Sequence, residues 1–192
     1  HKDVVKLLAG NSNRNIDLNA TTWGRTALMM ACIKGHKDVV ELLLEHSERI
    51  ELHARNNHRW TAFMWACQNG HKDVVELLLD HSEKIELNAR DNDGWTALML
   101  ACNKGHKDVV KLLLDHKDSN IELNARSNRG TTPLMIACLN GHNDVVQLLL
   151  DNAERIELNA RNNDGLTAFM CACIHEQKDV VKLLLDNSEI IE

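Results

Sequence analysis

Tyrosine is absent from this chain of 192 residues, proline occurs once (Pro133), and aromatic residues make up only 3%. A core must therefore come from Leu, Val, Ile, Ala, Met and Cys. Positive charge is in the minority: 22 Lys and Arg stand against 28 Asp and Glu, a formal net charge of -6. Nucleic acid and anionic membranes are bound through clustered Lys and Arg, so neither is expected as the main partner. No apolar stretch approaches the roughly 18 residues that suggest a membrane-crossing helix, so no membrane insertion is expected. No signal-peptide pattern is visible. The chain opens on His1 rather than Met, which reads as a piece of a longer array. Walker-type loops, Rossmann glycine patterns and Gly-x-Ser-x-Gly elbows are missing too, so the chain is not expected to be an enzyme or to need a cofactor.

What is present is ordinary in bulk: 44% hydrophobic and 26% charged residues, enough for a sizeable core. The six cysteines are Cys32, Cys67, Cys102, Cys138, Cys171 and Cys173. Disulfide scaffolds are short and secreted. Five of these cysteines instead recur at one place in a repeat, so a reducing intracellular, cytoplasmic setting is expected.

That repeat decides the fold. His-Lys-Asp-Val-Val begins at His1, His36, His71 and His106, with variants at His142 and Gln177. A Thr-Ala-(Leu/Phe)-Met unit begins at Thr26, Thr61, Thr96 and Thr167, and Thr132-Pro133-Leu134-Met135 is the remaining copy. The pattern marks five full units preceded by a lone second half: 1–21 partial, then 22–56, 57–90, 91–126, 127–161 and 162–192.

Each unit reads as two helices and a turn. In the third, Asp91-Asn92-Asp93-Gly94 is turn chemistry. Thr96 stands where an N-cap hydroxyl belongs. Leu98, Met99, Ala101 and Cys102 have helical spacing, and Gly105 closes that helix. After His106-Lys107-Asp108, the residues Val109, Val110, Leu112, Leu113 and Leu114 form a wide apolar stripe, as for a helix between two neighbours. Ile85 and Leu87 alternate as an extended approach to the next turn. One unit cannot bury both its helices, whereas a stack of five can. The expected fold class is all-α, an α-solenoid.

The pattern Gly-x-Thr-Ala-Leu-Met-x-Ala-Cys-x-x-Gly-His-x-Asp-Val-Val-x-Leu-Leu-Leu, ending in Leu-Asn-Ala, resembles the ankyrin repeat, whose signature is Gly-x-Thr-Pro-Leu-His-x-Ala-Ala. The resemblance covers nearly the whole chain. It implies antiparallel helix pairs carrying β-turn fingers, and a non-catalytic module that binds a protein or an extended peptide through finger tips and a concave face. Several positions depart from the family pattern. The motif's Pro survives only at Pro133, and its His is Met29, Met64, Met99, Met135 and Met170. Arg59 replaces the turn glycine of the second unit, and Glu176-Gln177 replaces Gly-His in the last. The segment after the second helix is longer than the family's and lacks its glycine, as in Asp80 to Lys84.

Two constellations invite chemistry. Cys171, Cys173 and His175 lie close in sequence, but a metal needs converging ligands, and Cys173 would point away from the other two on a helix. Cys173 falls in the repeated cysteine column, where small buried packing is expected. The His-x-Asp pairs recur once per unit, whereas enzymes concentrate one specialised site. The Asn of Leu-Asn-Ala (Asn19, Asn88, Asn124, Asn159; His53 in the second unit) resembles the residue that asparaginyl hydroxylase modifies in ankyrin repeats. The favoured reading is that this Asn ties the backbone by hydrogen bonds.

Partner-binding candidates are the positions that vary while the frame stays constant: the turns and the ends of the first helices. They are Trp23, Arg25, Ile33, Lys34, Arg59, Trp60, Gln68, Trp95, Asn103, Lys104, Arg129, Thr131, Leu139, Leu166 and Ile174. Trp and Arg dominate interface hot spots, so Trp23, Arg25, Arg59, Trp60 and Trp95 read as an aromatic and basic stripe; packing on neighbouring fingers is the competing role. Trp65 faces core or groove. The last second helix stays apolar at Val180, Val181 and Leu183 to Leu185, where terminal repeats usually turn polar, so end-to-end self-association is expected. A spacer slice of a longer solenoid, or a designed array, are the alternative functions.

Overall fold

The computed structural model describes residues 17–116 and 120–187. The half unit at His1 to Leu8 and the irregular stretches at 11–15 and 117–119 lie outside the described residues.

Every described unit folds as two short helices. The first helices are α1 (Ala27–Lys34), α3 (Ala62–Gln68), α5 (Ala97–Lys104), α7 (Pro133–Leu139) and α9 (Ala168–Ile174). The second helices are α2 (Lys37–Leu44), α4 (Lys72–Leu79), α6 (Lys107–Asp115), α8 (Asn143–Leu150) and α10 (Lys178–Asp186). Threonine starts each first helix. Thr26, Thr61, Thr96, Thr132 and Thr167 hold extended backbone, and each hydroxyl accepts from the N–H of the Met three residues on, at 3.2–3.4 Å. Pro133 follows its cap at a position whose N–H has no helical partner.

The second helices end without glycine. A side chain caps three of them instead: His81 Nδ1 lies 3.0 Å from the Leu77 carbonyl oxygen, and the amides of Asn152 and Asn187 donate to Leu148 and Leu183 at 2.9 and 2.8 Å. Three-residue 3-10 turns follow at Ser47–Arg49, Ser82–Lys84 and Ala153–Arg155 and absorb the extra length.

First helices pack on first helices along the row α1, α3, α5, α7, α9, and second helices do the same from α2 to α10. The layers meet in one continuous core. Met29, Met64, Met99 and Met135 are buried in it, as are Val40, Val75, Val110 and Val146. Burial also pushes the Cys32 thiol up to about 12 and the thiols of Cys67, Cys102 and Cys138 well above the ordinary range, because a thiolate there would lose its water.

Two expectations are corrected here. The β-turn finger forms no strand among the described residues. Its place is taken by a hydrogen-bonded turn, with a single isolated bridge between Thr22 and Arg25. The approach at Ile85 is extended as expected, but a turn closes at once through Ala89 N–H donating to the Glu86 carbonyl at 3.2 Å, leaving too few residues for a ladder. Cys173 is exposed, not packed: among the described residues no helix packs on the far side of α9. Met170, on the same helix, is 40% exposed, although its counterpart Met135 is buried. No helix among the described residues is long and apolar enough to cross a membrane.

Candidate functional site

The turns are built on one side-chain device. In the second unit Asn56 Oδ1 accepts from the N–H groups of His58 and Trp60 at 2.9 and 2.8 Å. Asp91, Ser127 and Asn162 repeat this in the next three units. The first turn differs. Thr22 and Arg25 exchange both backbone bonds, with Trp23 and Gly24 at φ 51° and 71°, the signature of a tight two-residue hairpin.

Neighbouring turns are tied together. The side-chain amides of Asn92, Asn128 and Asn163 donate to the carbonyls of Asn57, Asn92 and Asn128 at 3.3, 3.0 and 3.0 Å. Their backbone N–H groups donate to His58, Asp93 and Arg129 at 3.3, 2.9 and 3.0 Å. These asparagines therefore belong to the frame, although they flank the variable positions. A second ladder joins Asn19 to Arg49 and Glu51, Asn88 to Asn120 and Glu122, and Asn124 to Arg155 and Glu157. This is the backbone tie expected of the Leu-Asn-Ala asparagine, and it runs between units, not within one. Arginine adds a third: Arg55 pairs with Glu86 and Arg90 with Glu122. The Arg55 guanidinium holds the Glu86 carboxyl below the usual carboxylate range.

The histidines work across the same joints. His71, His106 and His142 open second helices without capping them; each Nε2 lies 3.0 Å from the carbonyl oxygen of Ile33, Gln68 or Asn103 in the preceding unit. Gln177 does the same to Leu139 through its amide at 3.3 Å. Sequence reasoning placed these histidines in the frame but missed this reach, which only a partner 38 or 39 residues away reveals.

On this frame the candidate residues separate into groups. Trp95, Asn103, Arg129, Thr131 and Leu139 converge with Ile136 on one recess of about 410 Å³ between the third and fourth units. Trp95 and Leu139 are half-buried on its apolar wall, and Arg129 is exposed at its rim. The Asn140 amide donates to Asn103 Oδ1 at 3.2 Å across the recess.

A second group forms a chain of contacts over the first three units. The Arg25 guanidinium lies 4.7 Å from the centroid of the Trp65 ring. Trp65 and Trp60 sit 4.4 Å apart at 52°, and Trp60 Nε1 donates to Asp91 at 3.0 Å. Trp60 thus packs against its neighbour, and Trp65 sits half-buried beside it. Trp23 joins neither group and is 84% exposed. Lys34 and Lys104 are exposed at the ends of α1 and α5, and Arg59 is exposed at its turn. Ile33 and Gln68 are half-buried, Leu166 packs on the core, and Ile174 is 58% exposed.

A protein-family model described as ankyrin repeats (three copies) matches residues 1–91, 49–127, 83–162 and 119–192, and so spans the chain. The protein belongs to the ankyrin-repeat family. Ankyrin repeats are non-catalytic scaffolds for protein–protein interaction. Among the described residues no group of three or more His, Cys, Asp or Glu is arranged to hold a metal, and the trio Cys171, Cys173 and His175 does not converge: His175 Nδ1 turns to the Cys171 carbonyl. Comparison with curated proteins finds no match.

Proposed function

We propose that this chain binds a protein partner through an extended segment laid along the turns and the ends of the first helices, the finger tips and concave face of the family. The observation that carries the reading is the recess between the third and fourth units, where five of the variable positions meet. Trp95, Ile136 and Leu139 offer an apolar seat, and the outer polar atoms of Asn103 and Asn140 flank it. A partner side chain anchored there matches the aromatic-centred hot spots of known interfaces. Lys34, Lys104, Arg25, Arg59 and Arg129 stand along the same positions of a chain with net charge -6, so acidic groups on the partner fit this face. Six free cysteines, five of them buried, suit a reducing, intracellular site of action.

The test compares capture of one purified partner by the unchanged chain and by a Trp95→Ala, Leu139→Ala variant whose stability has been verified. At least tenfold weaker binding by the variant supports the recess; equal binding overturns it. A second reading rests on its own observation. Met170, Ile174 and Leu185 are exposed where Met135 and Leu150 of the preceding unit are buried, which favours end-to-end association of two copies. A monomer mass by light scattering at every concentration would sink that reading, and a chain that captures nothing in any form would be a spacer slice or a designed array.

A further inference from the structure

At three joints the structure repeats one arrangement. A carboxamide from one unit lies against a backbone pair of the next, donating through nitrogen to one carbonyl and accepting through oxygen from the N–H two residues on. Asn19 binds Arg49 O and Glu51 N at 3.1 and 2.9 Å. Asn124 binds Arg155 O and Glu157 N at 2.9 and 2.8 Å. Asn88 binds Asn120 O, and Glu122 N at 2.9 Å. At a fourth joint, between the first and second full units, His53 holds the asparagine's place and is exposed. The corresponding pair is the Lys84 carbonyl and the Glu86 N–H. Neither has a hydrogen-bond partner among the described residues.

We infer that this gap is a binding site for a carboxamide from a partner, an Asn or Gln side chain that takes the position of the missing asparagine. The backbone on the receiving side has the same local fold as at its sisters: a 3-10 turn at Ser82–Lys84 and an extended Ile85, matching Ser47–Arg49 with Ile50 and Ala153–Arg155 with Ile156. The donor and acceptor are thus set for an amide before one arrives, which lowers the ordering cost of binding. An imidazole does not replace it. A neutral ring has one donor and one acceptor on opposite edges, whereas the pair needs both from one planar group on one side. A carboxylate fails as well, because it cannot donate to the Lys84 carbonyl.

Space is available. Beside His53 an open groove of about 550 Å³ is lined by Ile50, Leu52, Ala54 and Glu83 among others. Its floor is apolar, since Ile50 and Leu52 are buried, and Lys84 Nζ reaches Ser47 Oγ across it at 3.4 Å. None of its lining residues borders the Trp95 recess, so the two sites stand or fall separately.

The experiment follows backbone amide resonances of the full chain by NMR during titration with N-acetyl-asparagine methylamide, with N-acetyl-aspartate methylamide as control. The Glu86 amide is expected to shift with the first probe and not with the second, while Glu51, Glu122 and Glu157, already engaged, stay still. His53→Asn supplies the bridge internally. In that variant Glu86 N–H should exchange about tenfold more slowly with solvent, the size of one added hydrogen bond, and lose its response to the probe. His53→Ala should keep the response. Equal shifts at all four glutamates, or a Glu86 amide whose exchange His53→Asn leaves unchanged, overturns the site. Neither outcome depends on the partner captured at the recess.

Discussion

His106 crosses the joint between the second and third units to meet Gly70: a Cβ on that glycine would lie 2.5 Å from the imidazole Nδ1, while Nε2 lies 3.0 Å from the Gln68 carbonyl oxygen. Gly70 also sits at φ 71°, where side chains are strained. The recurrent Gly-His is therefore not one motif within a unit but two halves of successive contacts: Gly35, Gly70 and Gly105 serve the next unit's histidine, and Gly141 serves Gln177.

Gly70→Ala should lower stability by about 2–3 kcal/mol, combining the cost of left-handed backbone with the displaced imidazole. Gly165→Ala, where nothing lies within 4 Å of an added Cβ, should cost about 1–2 kcal/mol from the backbone alone. Urea denaturation of the two variants checks the difference; equal losses would show that the imidazole yields freely.

Arg59 occupies a turn-glycine position at φ 63°, and the ladder bonds from Asn92 just beyond it are the longest of the three, at 3.3 Å each. Its Cβ stands where the equivalent glycine, Gly94, leaves room for the next turn's asparagine. Arg59→Gly should therefore stabilise the fold by about 1 kcal/mol, offset in part by the wider freedom of glycine when unfolded. A higher Tm is the expected result, and a lower one would mean the guanidinium makes a compensating contact.

Alkaline pH should unfold the array through its cysteines. Burial raises the thiols of Cys32, Cys67, Cys102 and Cys138, so the folded chain keeps protons that the unfolded chain gives up above pH 9.0. The unfolded state then binds fewer protons, and stability falls as pH rises from about 9 towards 12. Replacing all four by Ala should move the alkaline midpoint upward in circular dichroism. In the native chain near neutral pH a thiol reagent should label exposed Cys173 first.

Trp23 and Trp60 should behave oppositely. Trp23→Ala is expected to change stability by less than about 0.5 kcal/mol, since the side chain is 84% exposed. Trp60→Ala removes the tilted ring contact with Trp65 and the bond to Asp91 and should cost about 2–4 kcal/mol. Thermal melts of both variants decide this, and a large loss for Trp23→Ala would show that the first turn packs against something beyond its own unit.

The helices were legible in the sequence because their causes are local. Threonine caps, apolar spacing and closing glycines act within a few residues, and repetition every 35 or 36 positions gave the caps five times and the glycines four. The burial of Met29, Met64, Met99 and Met135 and the ankyrin family followed from the same pattern. The candidate recess was legible only as variable positions: Trp95, Asn103, Arg129, Thr131 and Leu139 span 45 positions in the chain, and stacking brings them to one wall. Tertiary structure alone decided which tryptophan packs and which is exposed, because Trp23, Trp60 and Trp95 occupy similar turn positions and differ in the neighbour each meets. It also decided what the asparagines and histidines do, since a hydrogen bond to a carbonyl about 30 or more residues away leaves no local trace.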